Sequence, residues 1–231
     1  MSLSTTKRFT IAEYHRLAEG FFKEDERVEL IRGEIIVMSL RTAKRFTIAE
    51  YHRLAELSFF KEDDRVELIR GEIIEMAAKG TSHSTFNRRL IREISKLLGD
   101  RATLQSQDPI SIPPDSEPEP DIAIIRNRED DYLANNPSPS DILLLIEIAD
   151  SSLKYDQETK LTFYAEAGIL DYWIFNLVDN YLECYSEPYQ DLQGKFGYRR
   201  KLILLPNESV NLPSFPDSVL DLSKIFPGFD S

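Results

Sequence analysis

The residues of this chain whose types and spacing could do chemistry are an aspartate that follows a proline, Asp121, a glutamate set inside an apolar run, Glu147, and a downstream lysine, Lys160. Two carboxylates brought together offer the hard oxygen donors that hold Mg²⁺ or Mn²⁺. A lysine lying over them can orient a water molecule or stabilise negative charge building up on a phosphoryl group. Glu147 makes the strongest case of the three. It lies in LLLIEIAD, Leu143 to Asp150, a run too continuously apolar to alternate between core and solvent, so the segment reads as a strand covered on both faces. An ionised carboxylate in such a place requires a cation, a metal or a hydrogen-bonding neighbour, or else it sits protonated.

The elements that must position these groups are legible from pattern. Asp121 opens a predicted strand to Ile125, and a second strand runs from Ile142 to Ile148, so pairing of the two would aim both carboxylates at one place. A helix is predicted from about Asp156 to Ala167, ending at Gly168. On it Asp156, Lys160 and Tyr164 are spaced i, i+4, i+8 and share a face; Lys154 falls in the loop ahead of it. Upstream, an amphipathic helix is expected from about Ser84 to Leu98, with Arg88, Arg89, Arg92 and Lys96 off its apolar face and His83 just before it, in a capping position. A strand at about Ala102 to Gln107 follows. YWIFNLVDNYLECYSE reads as two strands around Asp179-Asn180, and YRRKLILL extends the antiparallel run. The sum is an α/β class fold, an α+β mixed sheet with helices on its faces.

The chain begins with a duplication. KRFTIAEYHRLAE at Lys7 to Glu19 recurs unchanged at Lys44 to Glu56, and FFKEDERVELIRGEII at Phe21 to Ile36 recurs at Phe59 to Ile74 with one difference, Glu26 against Asp64. Each copy reads as a Thr-capped helix followed by a strand, RVELIRGEII. Copy two runs directly into the remaining chain, which gives an expected division into an add-on unit, residues 1–37, and a main domain, residues 38–231. Copy one could pack as an extra helix and edge strand, compete with copy two for one position, or swap into a neighbouring subunit as in a homodimer. Glu67 in copy two is a candidate for an indirect metal contact, but Glu29 occupies the same place in copy one, so at least one of the pair must be idle. His15 and His52 are repeat partners expected at the surface.

With 231 residues, 42% of them hydrophobic, the chain can build a substantial core. Its one cysteine, Cys184, excludes an intramolecular disulfide, and its apolar runs are too short to span a bilayer, so a cytoplasmic protein is expected. A net charge of −12 opposes nucleic-acid binding through a broad basic surface, although a metal-dependent phosphodiesterase needs acids at its site and only a local basic lining.

The motifs together resemble the PD-(D/E)XK nuclease superfamily, and within it a restriction-endonuclease family expanded in cyanobacteria. The resemblance covers about residues 44 to 210 and rests on VELIRGEIIEM with Gly80 to His83 downstream, on EPDIAII, on LLLIEIADSS, and on the D-x-x-x-K-x-x-x-Y helix followed by Gly168 and DYWIF. It implies a restriction-endonuclease-like core, a divalent metal held by Asp121, Glu147 and the carbonyl of Ile148, and Mg-dependent hydrolysis of DNA phosphodiester bonds. Glu67, His83 and Tyr164 are secondary candidates. The superfamily's usual lysine, two residues after the second acid, is Ala149 here, and the resemblance gives its role to Lys160. A second reading stays open, a catalytically weak or inactive nuclease fold used for binding or regulation.

Overall fold

The computed structural model describes residues 5–23, 26–61 and 64–226, which form two compact units. One contains both sequence repeats, residues 5–77, together with residues 112–118; the other contains residues 78–111 and 119–226.

In the repeat unit, copy one supplies β1 (Thr5–Thr6), α1 (Ile11–Ala18), β2 (Val28–Ile31) and β3 (Glu34–Val37). Copy two supplies β4 (Thr42–Ala43), α2 (Ile48–Glu56), β5 (Val66–Ile69) and β6 (Glu72–Glu75). The helices start where their threonines predict. Thr10 and Thr47 each accept from the backbone N–H of Glu13 and Glu50, whose carboxylates bond back to the cap, a reciprocal box in both copies.

The segment RVELIRGEII is a hairpin rather than the single strand expected. Arg32 and Gly33 in copy one, and Arg70 and Gly71 in copy two, all adopt positive φ, which reverses the chain between two paired strands in register with the natural strand twist. The continuous apolar pattern hid this turn because arginine, not asparagine or aspartate, precedes the glycine. At Gly71 a Cβ would come within 2.8 Å of the Arg45 Cβ, so the close approach as well as the turn requires glycine.

The second unit is built on a six-stranded mixed sheet. In chain order its elements are α3 (Thr81–Leu98), β7 (Thr103–Gln105), β8 (Ile122–Ile125), β9 (Ile142–Ala149), α4 (Leu153–Tyr155), a π-helical turn (Asp156–Lys160), α5 (Leu161–Glu166), β10 (Asp171–Asn176), β11 (Tyr181–Gln190), β12 (Phe196–Leu204), β13 (Ser209–Leu212) and β14 (Phe215–Asp221). The sheet order is β12-β11-β10-β9-β8-β7; β9 and β10 are parallel and the other pairs antiparallel, while β13 and β14 form a separate hairpin. Every residue of β9 is buried, as its unbroken apolar run requires. Phe86, Leu90, Ile94 and Leu98 of α3 share one core with Leu144, Ile146 and Ile148 of β9, so Leu145 and Glu147, which alternate with these, point to the other face.

The helix expected from Asp156 begins earlier, at Leu153, and so takes in Lys154. Its middle is π-helical, with the Leu161 N–H donating to the Asp156 carbonyl. Among the described residues no helix is long and apolar enough to cross a membrane.

Candidate active site

The site is assembled by the pairing of β8 with β9. Ile122 lies opposite Ile146, so the next step along the ladder brings Asp121 opposite Glu147. Pro120 favours extended backbone just before it, carrying Asp121 into line with the strand. The two acids are linked through backbone: the Ile148 N–H donates to Asp121 Oδ2 at 2.9 Å, and the Asp121 N–H reaches Glu147 Oε2 at 3.4 Å. Both carboxylates are buried.

Each acid has its own cation. Lys160 Nζ donates to Glu147 Oε1 at 2.9 Å, and the Tyr164 hydroxyl donates to the same oxygen at 3.1 Å. The neighbour that a charge in the middle of β9 demands is therefore supplied by the helix that follows. The π-helical turn matters here: its wider winding leaves Asp156 and Lys160 both buried at its two ends, with Tyr164 buried one turn further. Asp121 is held from the opposite side. Lys79 Nζ donates to Oδ1 at 2.7 Å and His83 Nε2 lies 2.9 Å from Oδ2. His83 sits within the first turn of α3 rather than ahead of the helix, and it is buried. One turn later Asn87 donates to the Ser106 hydroxyl, which donates to the Asp121 carbonyl, so α3 fixes both the side chain and the backbone of this aspartate.

The electrostatics set Asp121 and Asp156 apart. Burial alone would raise the Asp121 carboxyl, but the hydrogen bond and charge of His83 and the charge of Lys79 outweigh it and hold this group well below the usual carboxylate range. Asp156 is driven the other way. Burial and then the charge of Glu147 push it well above that range, with Lys160 and the Ser152 hydroxyl, 2.6 Å away, only partly offsetting them. The arrangement thus sets an aspartate that favours its charged form, two lysines and a buried acid that resists ionisation around Glu147. Ion pairs this deeply buried would be costly as stability devices alone.

Among the residues singled out from sequence, Asp121, Glu147, Ile148, Lys160, Tyr164 and His83 meet here. Glu67 belongs to the repeat unit, where it is buried, while its counterpart Glu29 is exposed. Lys154 is exposed and lies 4.0 Å from Glu158. Of the basic positions on α3, Arg92 and Lys96 pair with Glu93, and Arg89 donates to the Ile225 carbonyl. Lys79 was missed, since nothing in MAAKG separates it from a solvated loop lysine until the fold brings Asp121 beside it. Asp156 carried a weak signal, its shared face with Lys160 and Tyr164. No group of three or more His, Cys, Asp or Glu side chains arranged for a metal occurs among the described residues, so any ion here would rest on two acids and on backbone or solvent oxygens.

Comparison with known proteins adds family and fold. A family model described as "Uma2: Putative restriction endonuclease" matches residues 48–223, starting at the first residue of α2 and so leaving copy one outside. Among solved structures, the chain is similar to a crystal structure of a "putative nuclease belonging to DUF820" from Anabaena variabilis ATCC 29413, with a TM-score of 0.59 and 17% sequence identity, covering 78% of this chain and 97% of that one. No curated protein matches. With a family model spanning most of its length and a mixed sheet that carries the paired acids, this chain belongs to the Uma2 restriction-endonuclease family of the PD-(D/E)XK superfamily.

Proposed function

We propose that the protein is a metal-dependent endonuclease that hydrolyses DNA phosphodiester bonds in the cytoplasm. The observation that carries this reading is the ammonium of Lys160 set on Glu147 beside Asp121, where the interior strands β8 and β9 pair in the sheet of a restriction-endonuclease family member. The donor chemistry fits a small hard cation: Asp121 and Glu147 offer carboxylate oxygens side by side. The carbonyl of Ile148 is the third donor that the family resemblance implies. A bound Mg²⁺ or Mn²⁺ would supply Lewis-acid stabilisation of charge on the phosphoryl group.

The chain's own residues do the rest. Lys160, whose ammonium donates to Glu147, is placed to act on a phosphate oxygen or an attacking water beside that acid. Tyr164 and Lys160 together fix the orientation of Glu147. Lys79 and His83 hold Asp121 ionised, which keeps it fit to bind a cation. The same two residues occupy its oxygens, so they must yield when an ion binds.

A second reading, a catalytically weak or inactive module, draws on Ala149 at the superfamily's lysine position and on the net charge of −12. Incubation of the protein with plasmid and with single-stranded DNA under Mg²⁺ or Mn²⁺ separates the two. Cleavage is expected, abolished by Lys160→Ala and retained by Lys154→Ala; because Lys160→Ala also strips the buried Glu147 carboxylate of its cation, at a cost of about 3–5 kcal/mol, circular dichroism checks its fold and the assay is run below its melting temperature. Cutting that survives Lys160→Ala but not Lys154→Ala would overturn the assignment of Lys160, and no cutting by the unaltered protein would favour the binding module.

A further inference from the structure

The two copies of the repeat exchange strands, and they do so reciprocally. β1 of copy one pairs not with its own hairpin but with β6 of copy two, Thr5 opposite Glu75 and Thr6 opposite Ile74. β4 of copy two pairs with β3 of copy one, Thr42 opposite Val37 and Ala43 opposite Ile36. Counted along the repeat these are the same positions. The crossing point is equivalent as well: Phe9 donates its N–H to Gly33 of its own copy and Lys7 to Ile73 of the other, while Phe46 donates to Gly71 of its own copy and Lys44 to Ile35 of the other.

Side chains repeat the exchange. Phe9 packs against Phe59 and Phe46 against Phe21, with Phe9 and Phe46 touching each other. Arg16 reaches the Ser58 carbonyl as Arg53 reaches the Gly20 carbonyl. One core is shared in matched pairs, Leu17 with Leu54, Phe21 with Phe59 and Ile35 with Ile73. A set of contacts in which i meets j and j meets i is the mark of a two-fold, isologous interface between identical partners.

We infer that the repeat is a self-complementary pairing element, and that the tandem duplication closes inside one polypeptide an interface otherwise made between two chains. The reason for the closed form lies in the connection. A turn of four residues, 38–41, joins β3 to β4, so β4 takes the β3 edge locally and β1 is left to fill the β6 edge. Linkage on this scale gives the internal partner an effective concentration on the order of millimolar, above that of a second chain in dilute solution. The partner this surface fits is therefore a second copy of the same helix and hairpin, supplied by another chain whenever copy one is withdrawn. A single copy cannot cover its own phenylalanines or fill its own β6 edge.

Cysteine pairs in the full-length chain test this. In the otherwise unaltered protein, Thr5→Cys with Glu75→Cys should close a disulfide within one chain, and Thr5→Cys with Val37→Cys should not; the reverse would show that each copy pairs with itself and overturn the inference. Partner choice is read in full-length Leu17→Asp, which puts a carboxylate into the fully buried core position of copy one. Combined with Thr42→Cys and Glu75→Cys, it should yield a disulfide-linked dimer of about twice 26.7 kDa on a non-reducing gel, because β4 of one chain then meets β6 of the next. The same cysteines in a chain with Leu17 intact should give no dimer. A folded Leu17→Asp chain that stays monomeric, whether uncrosslinked or closed within itself, would overturn the inference. Phe9→Ala, which opens the shared core without burying a charge, repeats the measurement should Leu17→Asp be insoluble.

Discussion

Val28-Glu29-Leu30-Ile31 and Val66-Glu67-Leu68-Ile69 are the same four residues, in the same strand of the same hairpin, within one compact unit. In copy two all four are buried; in copy one Glu29 and Ile31 are exposed and the other two only partly covered. The difference comes from a third segment. Residues 112–118 lie along copy two alone, with the Glu117 N–H donating to the Leu68 carbonyl, the Gly71 N–H to the Asp115 carbonyl and the Arg70 N–H to the Ser116 hydroxyl. His52 of copy two, itself exposed, accordingly lies 2.9 and 3.0 Å from the two oxygens of buried Glu117; its repeat partner His15 is exposed as well. Identical local sequence thus gives identical local structure, and burial follows from what the rest of the chain lays over it.

The comparison can be broken most severely by removing copy one. If copy two is the member integrated with the remaining chain, residues 38–231 should still unfold cooperatively on heating, and light scattering should find them as dimers; an insoluble chain, or a melt without a transition, would show the copies to be equal parts of one core. Leu68→Ala against Leu30→Ala is the next largest contrast. The first empties a fully buried site and should cost about 2–5 kcal/mol in urea unfolding, the second, half-buried, about 1 kcal/mol. Equal costs would mean that residues 112–118 do not distinguish the copies.

A smaller difference is expected at the histidines. His52→Ala leaves the buried Glu117 carboxylate without its neighbour and should cost about 1 kcal/mol, whereas His15→Ala should stay within about 0.5 kcal/mol of the unaltered protein. The capping glutamates should show the copies alike. Burial opposes the charge on Glu13 and on Glu50, yet the Thr10 or Thr47 backbone and Lys7 or Lys44 bring both below their ordinary value of 4.5. A carboxyl whose pKa falls on folding adds stability above its unfolded value and loses it as pH drops through the folded one. Glu13→Gln and Glu50→Gln should therefore lower Tm by similar small amounts at pH 7, and the loss should shrink below pH 4.5 in both; a loss confined to one copy would reveal a difference in the helix caps that the structure does not contain.

Much of this protein was settled locally. The threonine before each repeat helix and the glutamate three residues later specify a reciprocal cap whatever surrounds it. The unbroken aliphatic run of β9 requires cover on both faces, and a carboxylate within it requires a partner, because apolar alternation and desolvation act on neighbours in sequence. What pattern could not supply was any choice between equivalent residues. Lys79 became a partner of Asp121 only when the strand pairing brought that aspartate to the start of α3, and His83 only when its helix began three residues before the expected start. The exchange of β1 and β4 between copies followed from which strand edge was already occupied. That Glu67 is buried and Glu29 exposed was decided by residues 112–118, more than forty positions away in the chain from Glu67, because burial is a property of the neighbours that a fold brings together and two identical sequences carry no information about which of them will acquire those neighbours.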